Sequence, residues 1–464
     1  MLKVLKNLDV YLQGSVMIVF PEYGLMPVRM RSRQMAAVFM ERVLNPDTDD
    51  RIPCLERPAD PDAILIQRAL SCIALSNGLY VVANMGSLET CDRATDSACP
   101  DDGHYQFNTN VAYDPTGRLV ARYRKYNLFV TETRVYDRSN SAERVYFDTP
   151  FGRVGTFVCF DVIFGDPAMW LAERGDINHV AFPTAWMNKL PCYSAGPFHQ
   201  SFAAAIGVNL LAANLHRPSL YFCGSGIYGW DGVPRAFRCT SDNSSALLVA
   251  DVTTNPDKAE DSPLLSFTQL PRDLEGVPDF GSPVFKDPFN FVLLRSHSGI
   301  NSVCHNGLCC WLNYTKAQNS KDQFALGAFR GLHTAEGQYY LEICLLMTCL
   351  NGSETHCGEG ATTSTTFFAF FNLTGNFSTS YIYPQVVASG VQPTTDSWEF
   401  TRRVGTLVLP RPTTTPLLSA TLYGRRFDLD DVHVHRCSTD VGRSGHADTD
   451  LFLAIVTGQC AVCC

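Results

Sequence analysis

Short apolar runs alternate with helix-like stretches through the first two-thirds of the chain, the pattern of layered α and β structure. The spacing predicts strands over 16–20, 79–83, 110–113, 119–123, 154–160, 180–182 and 210–213. Helices are expected over 62–76, where apolar positions recur at helical intervals behind an acidic start, and over 198–208. Residues 114–117 and 150–153 carry turn chemistry between strand pairs, so hairpins interrupt the alternation.

Around 256–281 the pattern stops and the chain turns polar and proline-rich, which marks a connecting segment. Beyond it, 289–303, 338–346 and 365–373 read as strands among cysteines and turn residues, with few helical signals. The expected organisation is a first domain over 1–268, a linker over 269–284, a β-rich domain over 285–445 and an apolar tail over 446–464. Cys304, Cys309, Cys310, Cys344, Cys349 and Cys357 fall in the β-rich part; six cysteines permit fifteen pairings, and spacing selects none of them.

Composition narrows the class. Of 464 residues, 45% are hydrophobic and 18% charged, the latter below the roughly 25% usual for soluble proteins, so the chain has enough apolar material for two compact cores. A net charge of -9 leaves no broad basic field, and no stretch combines clustered Lys and Arg with aromatics; nucleic acid is excluded as a partner. Eighteen cysteines, without the two matched ligand pairs a zinc finger needs, indicate disulfides and an oxidising compartment. Five Asn-x-Ser/Thr acceptors, Asn243, Asn313, Asn351, Asn372 and Asn376, point the same way, toward a secreted glycoprotein. The first residues lack the continuous apolar core of a signal peptide. No run reaches the roughly 18 apolar residues of a membrane span, while 451–464 follows a polar spacer and weakly resembles a lipid-anchor signal.

Three polar residues stand at or beside the ends of apolar strands: Glu22 after 18–21, Lys125 after 119–123 and Cys159 within 156–161. Strand ends in layered α/β proteins are where distant segments converge on one crevice. The trio has coherent chemistry. A cysteine thiolate attacks an amide carbonyl, a carboxylate takes the thiol proton, and an ammonium stabilises the oxyanion. Taken singly each residue is ordinary: a small buried hydrophobe, a helix-start carboxylate, a member of a solvated basic cluster.

The local wording of the chain decides between these readings. Segments 18–22 (IVFPE), 119–129 (LVARYRKYNLF), 155–161 (GTFVCFD) and 182–188 (FPTAWMN) resemble, in order, the nitrilase superfamily of carbon-nitrogen hydrolases, and within it the vanin and biotinidase branch. Agreement continues at 108–110 (NTN), 223–228 (CGSGIY) and 327–340 (GAFRGLHTAEGQYY). The resemblance implies a four-layer αββα sandwich followed by a disulfide-braced, β-rich C-terminal domain. It implies Glu22, Lys125 and Cys159 as the catalytic triad, Glu132 as a supporting carboxylate, and the Phe160 N–H as a second oxyanion donor. Thr184 and Trp186 would lie at the pocket wall. The implied reaction is hydrolysis of a linear amide, pantetheine to pantothenate and cysteamine, without cofactor or metal. Biotin amides are the alternative substrate, and a non-catalytic glycoprotein the alternative class. The family places a further core strand and a helix before the Pro21-Glu22 segment, where only residues 1–15 stand here.

Other constellations carry less. Cys91 and Cys99 are expected to close a surface loop. His433 and His435 alternate on one strand face without a third metal ligand. His179, His199 and His216 are each expected to satisfy a local hydrogen bond rather than serve Cys159.

Overall fold

In the computed structural model, residues 14–253 and 287–430 are described, apart from 29, 58–60, 319, 350–356, 358–360, 395 and 402–403. The expected linker, the apolar tail, His433, His435 and Asn351 lie outside the described residues.

Two sheets form the first half. One has the order β1 (Met17–Val19), β3 (Tyr80–Thr90), β4 (His104–Tyr113), β5 (Leu119–Arg124), with β2 (Met40–Glu41) also on β3. β1 and β2 run parallel to β3, and β3, β4 and β5 are antiparallel. The second runs β11 (Pro234–Arg238), β10 (Ser225–Tyr228), β9 (Asn209–Asn214), β8 (His179–Thr184), β7 (Gly152–Thr156), β6 (Tyr146–Thr149), parallel at its centre. Small side chains allow the sheets to approach closely: Val82, Ala112, Ala121, Val154 and Ala181 fill the space between them with Phe147.

Helix Leu65–Asn77 covers the outer face of the first sheet through Leu70 and Ala74, and ends where Gly78 takes the left-handed conformation (φ 62°) that stops a helix. Helix Ala195–Ile206 covers the second sheet. Residues 195–203 are buried all round, because the helix is packed on both sides. Its other neighbour is a C-terminal sheet of order β12 (Asn290–Leu293), β15 (Gln323–His333), β16 (Tyr339–Cys349), β22 (Leu417–Arg425), β18 (Ile382–Ala388), β19 (Gln392–Pro393). Phe198 and Phe202 meet Tyr383 and Tyr423 of that sheet.

The opposite face of this sheet closes on a second one, β13 (Ser298–His305), β14 (Leu308–Lys316), β17 (Phe368–Gly375), β21 (Thr406–Leu409), β20 (Glu399–Thr401), around Leu312, Phe371, Trp398 and Leu422. Cys310–Cys344 bridges the two sheets through that core, while Cys304–Cys309 and Cys349–Cys357 close local loops. Cys54–Cys72, Cys91–Cys99 and Cys223–Cys239 brace the first half. The layers of the first half are those expected of an αββα sandwich, and the C-terminal half is β-rich and disulfide-braced.

Two expectations are corrected. The strand expected over 154–160 ends at Thr156, and the chain turns at Cys159 into a 3-10 segment, Cys159–Ile163. The single strand expected over 289–303 is two, β12 and β13, in different sheets; the polar run 295–297 breaks it.

Candidate active site

Glu22 follows β1 on a segment fixed by the Phe20 N–H bonding the Val82 carbonyl at 2.9 Å. Lys125 follows β5, its own N–H on the Asn108 carbonyl at 2.8 Å. Both side chains point into the protein and are fully buried. Lys125 Nζ lies 2.9 Å from Glu22 Oε1 and 2.7 Å from Glu132 Oε2, so one ammonium is clamped between two carboxylates. Asn108 Nδ2 donates to both, at 2.7 Å to Glu22 Oε1 and 2.8 Å to Glu132 Oε1. The Ala185 N–H donates to Glu22 Oε2 at 2.9 Å, and the Tyr23 hydroxyl and Phe129 N–H donate to Glu132 at 2.6 and 2.8 Å. Every charged member is thus paired and hydrogen-bonded, the condition under which buried ions persist.

These surroundings set the protonation states. Burial pushes the Glu22 carboxyl up to about 7 against the pull of Lys125, with the charge of Glu132 adding to the rise. Burial alone would drive the Lys125 ammonium down, but Glu132 and Glu22 outweigh it and hold it above the ordinary lysine value. A carboxyl near neutrality beside a permanently protonated lysine is the arrangement a general base and an oxyanion donor require.

Cys159 is presented by the adjoining turn. Its φ of +44° is a left-handed value that costs a non-glycine residue about 1 to 2 kcal/mol, and the turn holds it by several anchors. Asn110 Nδ2 donates to the Phe157 carbonyl at 3.1 Å, tying the first sheet to the turn. Asp161 accepts from the Val158 N–H at 3.1 Å, the Tyr123 hydroxyl at 2.7 Å, and the Asn127 N–H and Nδ2 at 2.8 and 3.0 Å. The same carboxylate therefore grips the turn bearing Cys159 and the hairpin end bearing Lys125. Burial raises the Asp161 pKa to about 6, opposed by Lys125 and these donors. The Cys159 sulfur is disulfide-bonded in this structure; a thiolate nucleophile is its reduced form.

Phe160 packs edge-on against Phe129, with ring centroids 5.2 Å apart, at one end of a cavity whose wall includes Trp186, Tyr193 and Tyr339. Trp186 Nε1 donates to the Tyr193 carbonyl at 2.7 Å, and its ring stacks on Phe198 at 4.8 Å. Thr184, at the end of β8, does not line this cavity as Trp186 does; its buried hydroxyl has no partner among the described residues.

Sequence reasoning passed over Asn108, Tyr23 and Asp161 as functional residues. Asn84, Asn108 and Asn110 are buried amides in otherwise apolar strands, a pattern that marks a polar network, and Asn84 Nδ2 indeed donates to Asn108 Oδ1 at 2.6 Å. Of the histidines, His179 bonds the Phe151 carbonyl at 3.1 Å and His216 the Asp242 carbonyl at 2.7 Å. His199 departs from expectation: both ring nitrogens lack partners among the described residues, and burial among aromatic rings pushes its pKa down to about 3, leaving a neutral ring. The acceptors Asn243, Asn313 and Asn376 are exposed and Asn372 is half-buried. Among the described residues no cluster of His, Cys, Asp and Glu has a metal-binding arrangement, and no helix is long and apolar enough to cross a membrane.

Known proteins share both halves. Residues 3–252 match the carbon-nitrogen hydrolase family and residues 280–430 the vanin C-terminal domain. A pantetheinase of Mus musculus is 41% identical over 424 residues, covering 90% of this chain and 81% of that protein. A biotinidase of Bos taurus is 36% identical over 467 residues, covering 92% and 87%. The crystal structure of an amidase from Nesterenkonia sp. aligns with 51% of this chain and 79% of its own, at 18% identity and a TM-score of 0.37.

Proposed function

Because the chain belongs to the carbon-nitrogen hydrolase family, we propose that it cleaves pantetheine to pantothenate and cysteamine through a thioester on Cys159. The observation that carries this is the buried Lys125, held between Glu22 and Glu132 beside the turn that presents Cys159. The substrate rests on the greater identity to pantetheinases than to biotinidases.

In the reduced protein Glu22 removes the Cys159 proton, and the thiolate attacks the amide carbonyl carbon. Electrons displaced onto the carbonyl oxygen meet Lys125 Nζ and the Phe160 N–H. Glu22 then protonates the nitrogen as the C–N bond breaks, releasing cysteamine and leaving the acyl group on sulfur. Water loses a proton to Glu22 and attacks the thioester; the C–S bond breaks, pantothenate departs, and the sulfur recovers its proton from Glu22. Glu132 and Asn108 keep the ammonium and the base in register throughout.

Incubation with pantetheine after treatment with a dithiol reductant is expected to release cysteamine. Cys159→Ala should lower kcat by at least about a thousandfold, since the oxyanion donors and substrate binding retain only residual catalysis. Undiminished turnover by that variant excludes Cys159 as nucleophile. Faster turnover of biotinyl-lysine than of pantetheine would reassign the substrate. The disulfides also support secretion. Glycosylated protein in the culture medium is the expected outcome, and a protein retained in the cytosol with reduced thiols overturns it.

A further inference from the structure

The wall of the cavity beyond Phe160 is apolar and aromatic except at one place. Lys189 and Glu336 are the charged side chains among the described residues that line it, and they form an ion pair with each other. They come from different halves of the molecule. Lys189 lies in a tight turn in which the Tyr193 N–H bonds the Lys189 carbonyl at 2.9 Å. Glu336 lies in the turn joining β15 to β16. That turn sits on the catalytic segment itself: a Cβ added at Gly337 would lie 2.9 Å from Phe160 Cζ. The pair is therefore one residue removed from a contact with Phe160, which directly follows Cys159.

The side chains of Lys189 and Glu336 keep 22% and 25% of their exposure, so they stand where the cavity meets solvent. Cys159 itself is buried behind Phe160, so an extended amide with its carbonyl at Cys159 and its short amine half inward would carry its longer acyl half out past this point. We propose that Lys189 and Glu336 are specificity-determining residues that make the mouth a charge filter, admitting acyl chains with an uncharged, hydroxyl-bearing far end and rejecting anionic or cationic ones. This rests on the amidase reading above. Both residues can exchange hydrogen bonds with hydroxyl groups while remaining paired. A carboxylate there faces Glu336 and an ammonium faces Lys189, and in either case the ion must also give up water against aromatic walls.

Removing one member breaks the balance in a defined direction. Glu336→Gln leaves Lys189 uncompensated and should favour anionic substrates; Lys189→Gln leaves Glu336 and should favour cationic ones. The probes are pantetheine and two analogues with a carboxylate or an ammonium at the far end of the acyl chain. The expected result is a five- to tenfold rise in kcat/KM for the carboxylate analogue relative to pantetheine in Glu336→Gln, and about the same for the ammonium analogue in Lys189→Gln. The double exchange Lys189→Glu/Glu336→Lys should restore the wild-type preference. Ratios within twofold of wild type in both single variants overturn the proposal. If the single variants do not fold, the wild-type protein decides: its discrimination against both charged analogues should narrow between low and high salt, and discrimination independent of salt overturns the proposal. A wild-type protein that hydrolyses none of the three amides instead refutes the substrate assignment.

Discussion

The two halves of this molecule treat buried charge differently. In the hydrolase half Glu22, Lys125, Glu132 and Asp161 all lie at 3% exposure or less. The first three form a closed node whose only cation is shared by two acids. In the C-terminal sandwich the core between the two sheets is hydrocarbon, and the buried ions lie outside it: fully buried Arg425 donates to the Ile163 carbonyl and pairs with Asp430. Glu342, for example, meets Arg330 and Arg426, of which Arg330 is about one-third exposed. The sandwich is further held by a disulfide through its centre. A node of ions in a dry interior is a poor source of stability, because desolvation consumes most of the attraction. Among the described residues this node of shared, buried ions lies in the half that matches the carbon-nitrogen hydrolase family.

The contrast can be broken most forcefully at its centre. Lys125→Met leaves Glu22 and Glu132 sharing the Asn108 amide with no cation between them, and should lower stability by about 3 to 5 kcal/mol as well as abolish turnover. Denaturant unfolding measures the first; an unchanged midpoint would mean that the lysine is not the charge holding the node. In the sandwich, the Cys310→Ala/Cys344→Ala variant opens a bridge spanning 34 residues and should lose about 3 to 4 kcal/mol by chain-entropy arithmetic. At a temperature where this variant remains folded its kcat should stay within about twofold of wild type, the opposite pattern to Lys125→Met. A large loss of kcat there would show that the sandwich core reaches the chemistry.

Asp161→Asn tests how the turn is held. It replaces an acceptor of four hydrogen bonds with an amide that confronts some of those donors with its own, and kcat/KM should fall by about ten- to a hundredfold with much of the fold stability kept. The smallest expected effect is in pH. With Glu22 near 7, kcat/KM should rise with pH through an acid limb at about 7, because the base must be ionised. Asn108→Ser removes a donor that lowers this pKa, so the limb should move upward; a limb that stays put detaches it from Glu22. For folding the sign is reversed. The folded pKa of Glu22 lies above its ordinary value of 4.5, so its contribution to stability is complete below about 4.5 and lost as pH rises through 7.

Much of the first half was legible because short continuous apolar runs there coincide with strands largely buried between layers, β8 throughout its length. β1, β8 and β9 fall where the pattern puts them, within a residue or two. The C-terminal half was less so. β14 reads as a mixture of cysteines and polar residues, since every second side chain faces solvent or a disulfide, and β18 and β22, though largely apolar and buried, were not expected, their runs being interrupted by Pro384, Gln385, Ser419 and Thr421. Cysteine spacing left fifteen pairings open, and which pair forms depends on β14 and β16 lying in facing sheets.

Within the site, residue identity was the legible part. Glu22, Lys125, Glu132 and Cys159 were named from local wording alone, and the cysteine count sufficed to expect disulfides, six of which form among the described residues. Tertiary structure decided how these residues are arranged. It placed one ammonium between two carboxylates from separate segments, bent the chain at Cys159 where periodicity continues a strand, and made Asp161 the clamp between turn and hairpin. It also brought Gly337 of the far domain against Phe160, and its neighbour Glu336 against Lys189. The reason is physical. Side-chain type and local periodicity are written residue by residue, whereas pKa values and the shared ion pair depend on desolvation and on partners such as Glu22, distant in sequence from Lys125, which meet only once the layers have closed.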